Sequence, residues 1–242
     1  MNGFHNFVFG IYPYIALTIF LLGSLIRFDR DQYSWKSDSS KLLRKGQLRW
    51  GSNLFHIGIL FLFGGHTVGL LTPHFMYEPF ITAEQKQLVA VTAGGIAGVI
   101  CFIGLTLLLH RRIFDDRIRL TSHRTDLGIL IILWVQLVLG LITLPYSFGH
   151  KDAGVMLALA DWAQRIVTLR PDAAGLVALD WPYKVHLVLG MTIFLLFPFS
   201  RLVHVWSGFG TLAYVFRPYQ VVRSRKLGLK SSAPAEQRPV SH

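Results

Sequence analysis

The chain has 242 residues, of which 52% are hydrophobic and only 15% charged, with a formal net charge of +11 at pH 7. Soluble globular chains carry about 25% charged residues, so this composition excludes an ordinary soluble domain and points to the membrane. One cysteine, Cys101, excludes an internal disulfide and a self-contained iron–sulfur cluster, which takes about four cysteine ligands.

Five apolar runs follow one another, at about 7–26, 50–71, 88–109, 127–145 and 183–206. Each is long enough to cross a hydrocarbon layer as a helix. The expected fold is therefore all-α, an integral membrane bundle of five transmembrane helices. The first run is followed, not preceded, by basic residues, the opposite of a secretory leader. It reads as a retained helix with its N-terminus outside. Thr72-Pro73 is a stop for the second run, because the residue before a proline avoids the helical region. The mixed loop from 146 to 182 contains a stretch at 154–169 with helical periodicity, which fits a helix lying along the membrane surface. A basic segment containing Ser and Pro, 224–242, closes the chain and reads as a disordered cytoplasmic tail. That leaves 1–223 as the membrane domain.

Charge placement gives the direction. Seven Lys or Arg lie between Arg27 and Arg49, five between Arg111 and Arg124, and seven from Arg201 onward, which is 19 of the 24 in the chain. The other side holds Lys86, Lys151, Arg165, Arg170 and Lys184. Positive loops stay inside, so the N-terminus is assigned to the outside and the C-terminus to the cytoplasm. The basic balance encodes topology, and nucleic acid is not an expected partner. No Gly-rich phosphate loop, HExxH motif or GxSxG elbow is present.

Ten histidines occur, and four fall within apolar runs: His56 and His66 on the second, His186 and His204 on the fifth. An imidazole in a membrane helix needs a partner. A lone one usually forms a helix–helix hydrogen bond, but two on each of two helices suggest ligation. The two helices run in opposite directions, so His66 shares a level with His186 on the outer side, and His56 with His204 on the inner side. Two stacked bis-histidine sites suit two b-type haems, for which neutral imidazole is a good axial ligand. Zinc is the rival metal, but it takes about four ligands per site, and each level offers two. The intervals match imperfectly. Ten residues rise about 15 Å along a helix and eighteen about 27 Å. Tilt, Pro198 and side-chain slant must absorb the difference. Eighteen residues make about five turns, which places His186 and His204 on one face of a continuous helix.

Gly51, Gly58, Gly65 and Gly69 form a stripe on the second run. It serves either close helix packing or room for a flat macrocycle or quinone head. The second reading is strongest at Gly65 and Gly69, which flank His66. Gly190, one turn from His186, is a candidate for admitting the outer haem. Arg201, near His204, is either a propionate partner or an interfacial charge. Lys86 opens the third run on the outer side. A cation there can hydrogen-bond a quinol oxygen and steady the anion formed on deprotonation, or it is a snorkelling interfacial lysine.

The segments IYPYIA, SNLFHIGIL, GHTVGLLTPH, HRRIF and HLVLGMTIFLLFPFSRLVHVWS resemble the gamma subunit of membrane-bound respiratory nitrate reductase, a dihaem cytochrome b. The last segment is highly specific, and the resemblance covers nearly the whole length up to Tyr219. It implies haem ligands at His56, His66, His186 and His204, paired as above. It also implies an outer quinol site near Lys86, beside Gly65, His66 and Gly69. The cofactors implied are two haem b, with menaquinol or ubiquinol as substrate. The partners implied are an iron–sulfur beta subunit and a molybdenum-cofactor alpha subunit, in the bacterial inner membrane during anaerobic nitrate respiration. Two alternatives stay open at this point: the haem b subunit of another respiratory oxidoreductase, and a haem-free membrane anchor or transporter. The latter lacks mid-span carboxylates, Asp126 being at a helix start.

Overall fold

The computed structural model describes residues 3–30, 45–121, 124–149 and 153–207. Segment 31–44, His123, His150, Lys151 and the tail expected at 224–242 lie outside the described residues. The described secondary structure is entirely helical. Among the described residues, five helical segments are long and apolar enough to cross a membrane: α1 (Gly3–Arg30), α2 (Lys45–Leu71), α4 (Ala83–Phe114), α6 (Arg124–Gly149) and a fifth over Trp181–Phe199, whose α-helical part is α8 (Trp181–Leu196). Shorter helices join them: α3 (His74–Tyr77), α5 (Asp116–Thr121) and α7 (Gly154–Val167).

The helices extend past the apolar runs because polar turns at their ends complete the backbone hydrogen bonding. The start of α4 is fixed by a capping box. Gln85 N donates to Thr82 Oγ1 at 3.3 Å, and Thr82 N donates to Gln85 Oε1 at 3.0 Å. Large apolar side chains such as Leu60, Phe61 and Phe63 of α2 are exposed, as expected where the solvent is lipid.

The spans pack as an arc. α2 lies mainly on α4, α4 on α6, α6 on α8, and α8 on α1. The α2–α4 contact is close because both helices lack Cβ atoms there. A Cβ on Gly58 would come within 2.6 Å of Cys101, and one on Gly104 would strike the backbone at Phe55. Helix α7 seals one end. It contributes Trp162, Ala163 and Ile166 to a core with Phe9, Leu176 and Tyr183. The Trp162 indole donates to Phe9 O at 2.8 Å, within a π-helical turn of α1 at Phe7–Ile11. Such a turn departs from the regular bonding ladder, and the indole supplies a partner for one of its carbonyls. Gln164 Nε2 donates to Leu70 O at 3.0 Å, tying α7 to the end of α2.

The fifth span departs from the expected continuous helix over 183–206. α8 ends at Leu196. Two 3-10 turns follow, Phe197–Phe199 and Arg201–Val203, separated by Ser200 in extended conformation (φ −116°, ψ 175°). Pro198 lacks an N–H and cannot continue the helical ladder. His186 and His204 therefore do not sit on one regular helix, and the shared-face argument from eighteen residues does not apply.

Candidate site of paired imidazoles

The structure brings the four intramembrane histidines together in two pairs, as the topology predicts. The rings of His66 and His186 are 6.2 Å apart between centroids, tilted by 37°. Those of His56 and His204 are also 6.2 Å apart, at 72°. Each pair joins α2 to the fifth span. His56 and His66 are exposed, whereas His186 and His204 are half-buried.

The four imidazoles have one hydrogen bond in common, from Nδ1 to a backbone carbonyl. His56 Nδ1 donates to Ser52 O at 2.7 Å, and His66 Nδ1 to Leu62 O at 2.7 Å. His186 Nδ1 donates to Gln136 O at 3.1 Å, and His204 Nδ1 to Arg201 O at 2.6 Å. A carbonyl only accepts, so each Nδ1 carries the proton and each Nε2 keeps its lone pair, that of His186 facing the Gln136 amide at 3.4 Å. A backbone acceptor on the far nitrogen is the usual second shell of a metal-ligating histidine.

Three of the four acceptors lie one turn back on the histidine's own segment. The fourth is on another helix. Gln136 of α6 receives the His186 proton on its carbonyl, while its side-chain Nε2 donates back to His186 O at 3.1 Å. Gln136 and its neighbour Gly140 were missed in the sequence. The available signal was a lone amide in an otherwise apolar span, which calls for an interhelical partner. A Cβ on Gly140 would lie 3.0 Å from His186 Cε1. Gly190 faces this amide: a Cβ there would meet Gln136 Nε2 at 3.2 Å, so it makes room for a side chain.

The glycine stripe divides. Gly51 and Gly58 face α4, where a Cβ would meet Leu108 at 3.2 Å and Cys101 at 2.6 Å respectively. Gly65 and Gly69, beside His66, face open space, with nothing within 4 Å of an added Cβ. The first half of the stripe serves helix packing, and the second half faces open space.

Lys86 lies in the first turn of α4 and is buried. Its Nζ stands 3.8 Å from the centre of the Tyr77 ring on α3 and has no hydrogen-bond partner among the described residues. Cation–π attraction keeps a charge over such a ring. At the opposite end, Arg201 turns its guanidinium to Asp126 at 3.5 Å, and Arg112 meets the same carboxylate oxygen at 3.2 Å. Among the described residues, no three of His, Cys, Asp and Glu converge, so each level presents two imidazoles and no zinc-like cluster.

A five-span membrane protein with two stacked pairs of facing, Nδ1-protonated imidazoles is the class that fold and site define. The sequence profile of the family described as nitrate reductase gamma subunit matches residues 5–225. The chain is 49% identical to the respiratory nitrate reductase 1 gamma chain of Escherichia coli (strain K12), over 93% of its own length and 100% of that protein. It is 39% identical to the nitrate reductase gamma chain of Bacillus subtilis (strain 168), over 90% of its length and 97% of that protein. The chain belongs to the nitrate reductase gamma subunit family. It is a membrane electron-transfer subunit of the quinol:nitrate oxidoreductase complex, a multi-pass protein of the inner membrane that associates with the other nitrate reductase subunits.

Proposed function

We propose that this subunit oxidises quinol at the periplasmic side and passes electrons inward through two b-type haems, one held by His66 and His186, the other by His56 and His204. The observation that carries the reading is the common spacing of the two pairs. Metal–imidazole bonds are about 2 Å long and a ring nitrogen lies about 1 Å from its ring centre, so two rings ligating one metal from opposite sides have centres about 6 Å apart. Both pairs stand at 6.2 Å, with every Nδ1 already committed to a carbonyl. The open space beside Gly65 and Gly69 suits a flat ring next to His66. Bound by these pairs, haem would supply a one-electron carrier at each level.

The rest is the work of this chain's side chains. Charge asymmetry orients the bundle with the His66/His186 level and Lys86 outside and the His56/His204 level inside. Lys86, buried over Tyr77, offers an unspent ammonium donor to a quinol oxygen. It stabilises negative charge as the hydroxyl loses its proton. The protons leave on the outer side. Moving each electron inward against the membrane potential costs about 2.3 kcal/mol per 100 mV, so quinol oxidation is the source of that work. At the inner side the electrons pass to an iron–sulfur beta subunit and on to a molybdenum-cofactor alpha subunit, chemistry that a chain with one cysteine does not hold itself.

A reduced-minus-oxidised visible spectrum of the purified chain tests the reading. Two low-spin b-type signals are expected. His66→Ala and His186→Ala should remove the same one, and His56→Ala and His204→Ala the other. Absence of any b-type signal in the wild type overturns the proposal, as does loss of one shared haem in both His56→Ala and His66→Ala.

A further inference from the structure

His204 is the one member of the two pairs that lies beyond the break in its span. It follows a 3-10 turn and opens a helical turn at 204–207, on the far side of the break at Leu196–Ser200, so the ladder of α8 does not carry through to it. Its orientation comes from Arg201, whose carbonyl accepts the His204 Nδ1 proton at 2.6 Å. What holds Arg201 then decides where the imidazole points.

Two tethers converge there. Arg27 of α1 donates Nη1 to Pro198 O at 2.6 Å and to Ser200 O at 2.9 Å, pinning the break itself. Asp126 of α6 holds Arg201 directly. Its Oδ2 lies 3.5 Å from Arg201 Nη1 and 3.2 Å from Arg112 Nη1 of α4. The three side chains are 11%, 20% and 10% exposed respectively, so this is no solvated surface pair. Asp126 sits in the first turn of α6 and Arg112 in the last turn of α4, the ends whose dipoles favour an anion and a cation.

We propose that Asp126 is a positioning residue for His204. It ties Arg201 to the ends of α4 and α6, so fixing the carbonyl that aims the imidazole. It also offsets part of the charge of two guanidiniums beside the inner site. The inference rests on His56 and His204 being haem ligands, and it adds to that reading a residue from a helix that contributes no ligand.

The test uses the full chain in its assembled complex, with redox titration of both visible signals and the low-spin ferric electron paramagnetic resonance lines. Asp126→Asn removes a negative charge and should move the inner haem's potential upward and displace its resonance line, leaving the outer haem unmoved. Arg201→Gln removes a positive charge and should move the same potential downward. Asp126→Glu should restore the wild-type line. If Asp126→Asn does not assemble, the other two variants read the same signals. Equal shifts in both haems, or no shift in either, would overturn the proposal. A wild-type complex whose gamma subunit shows no b-type signal would instead overturn the haem reading beneath it.

Discussion

His186 and Gln136 grip each other from both ends: the imidazole Nδ1 donates to Gln136 O, and the Gln136 amide donates to His186 O, each at 3.1 Å. The imidazole is thereby held by α6, and Gly140, one turn along, leaves only enough room for it. Gly140→Ala would place a methyl 3.0 Å from His186 Cε1, forcing the ring aside by a few tenths of an ångström. Overpacking of this kind costs about 1–3 kcal/mol. The expected outcome is a shifted potential for the outer haem with the inner one unchanged, and loss of the outer haem in Gly140→Val. Redox titration of membranes carrying each variant checks it.

The divided glycine stripe gives a second expectation. Gly58→Ala pushes a methyl against Cys101, whose backbone on α4 is within 2.7–2.8 Å, so the helices must separate. This variant should be destabilised by about 1–3 kcal/mol, seen as a lower melting temperature for the whole subunit. Gly65→Ala meets nothing within 4 Å and should melt like the wild type, while shifting the visible signal of the outer haem beside it. Equal melting temperatures for the two variants would contradict the division.

The pairing of the histidines was legible in the sequence because it depends on two long-range regularities, the hydropathy of the spans and the asymmetry of Lys and Arg between the loops. Lys86 was legible for the same reason, as a cation at the mouth of a span. The break after Leu196 was only half legible. Pro198 announced it, but the position of His204 beyond it depends on Arg27 and Asp126, which lie 171 and 75 residues away in sequence from Pro198 and Arg201 respectively. The grip of Gln136 on His186 spans 50 residues and follows from no periodicity. A glycine pattern says which positions lack side chains, and only the neighbouring helix says whether that closeness is used.

The ring angles carry a third prediction. His66 and His186 are inclined by 37°, His56 and His204 by 72°. Imidazole planes closer to perpendicular leave the iron's two out-of-plane d orbitals more nearly equal in energy, which widens the spread of g values in a low-spin ferric centre. The His56/His204 centre should therefore show its resonance at the larger g value. Loss of that line in His204→Ala, with the smaller-g line retained, identifies it; the reverse assignment would contradict the geometry.

Lys86 and Tyr77 give the last prediction. The ammonium stands 3.8 Å from the ring centre and lacks a hydrogen-bond partner among the described residues, so its donors are available for a quinol oxygen. A hydrogen bond from a charged donor contributes about 1.5–3 kcal/mol, so Lys86→Ala should lower kcat/KM for quinol by roughly ten- to a hundredfold. Both haem spectra should remain intact, because Lys86 touches neither pair. Tyr77→Phe preserves the ring face and should keep most of the activity. Tyr77→Leu removes the face that holds the cation, a contact worth about 0.5–2 kcal/mol, and should fall between wild type and Lys86→Ala. The ordering wild type, Tyr77→Phe, Tyr77→Leu, Lys86→Ala in quinol oxidation is the measurement. A Tyr77→Leu variant as active as wild type would mean that the ring does not place the cation, and an active Lys86→Ala would remove the lysine from the site.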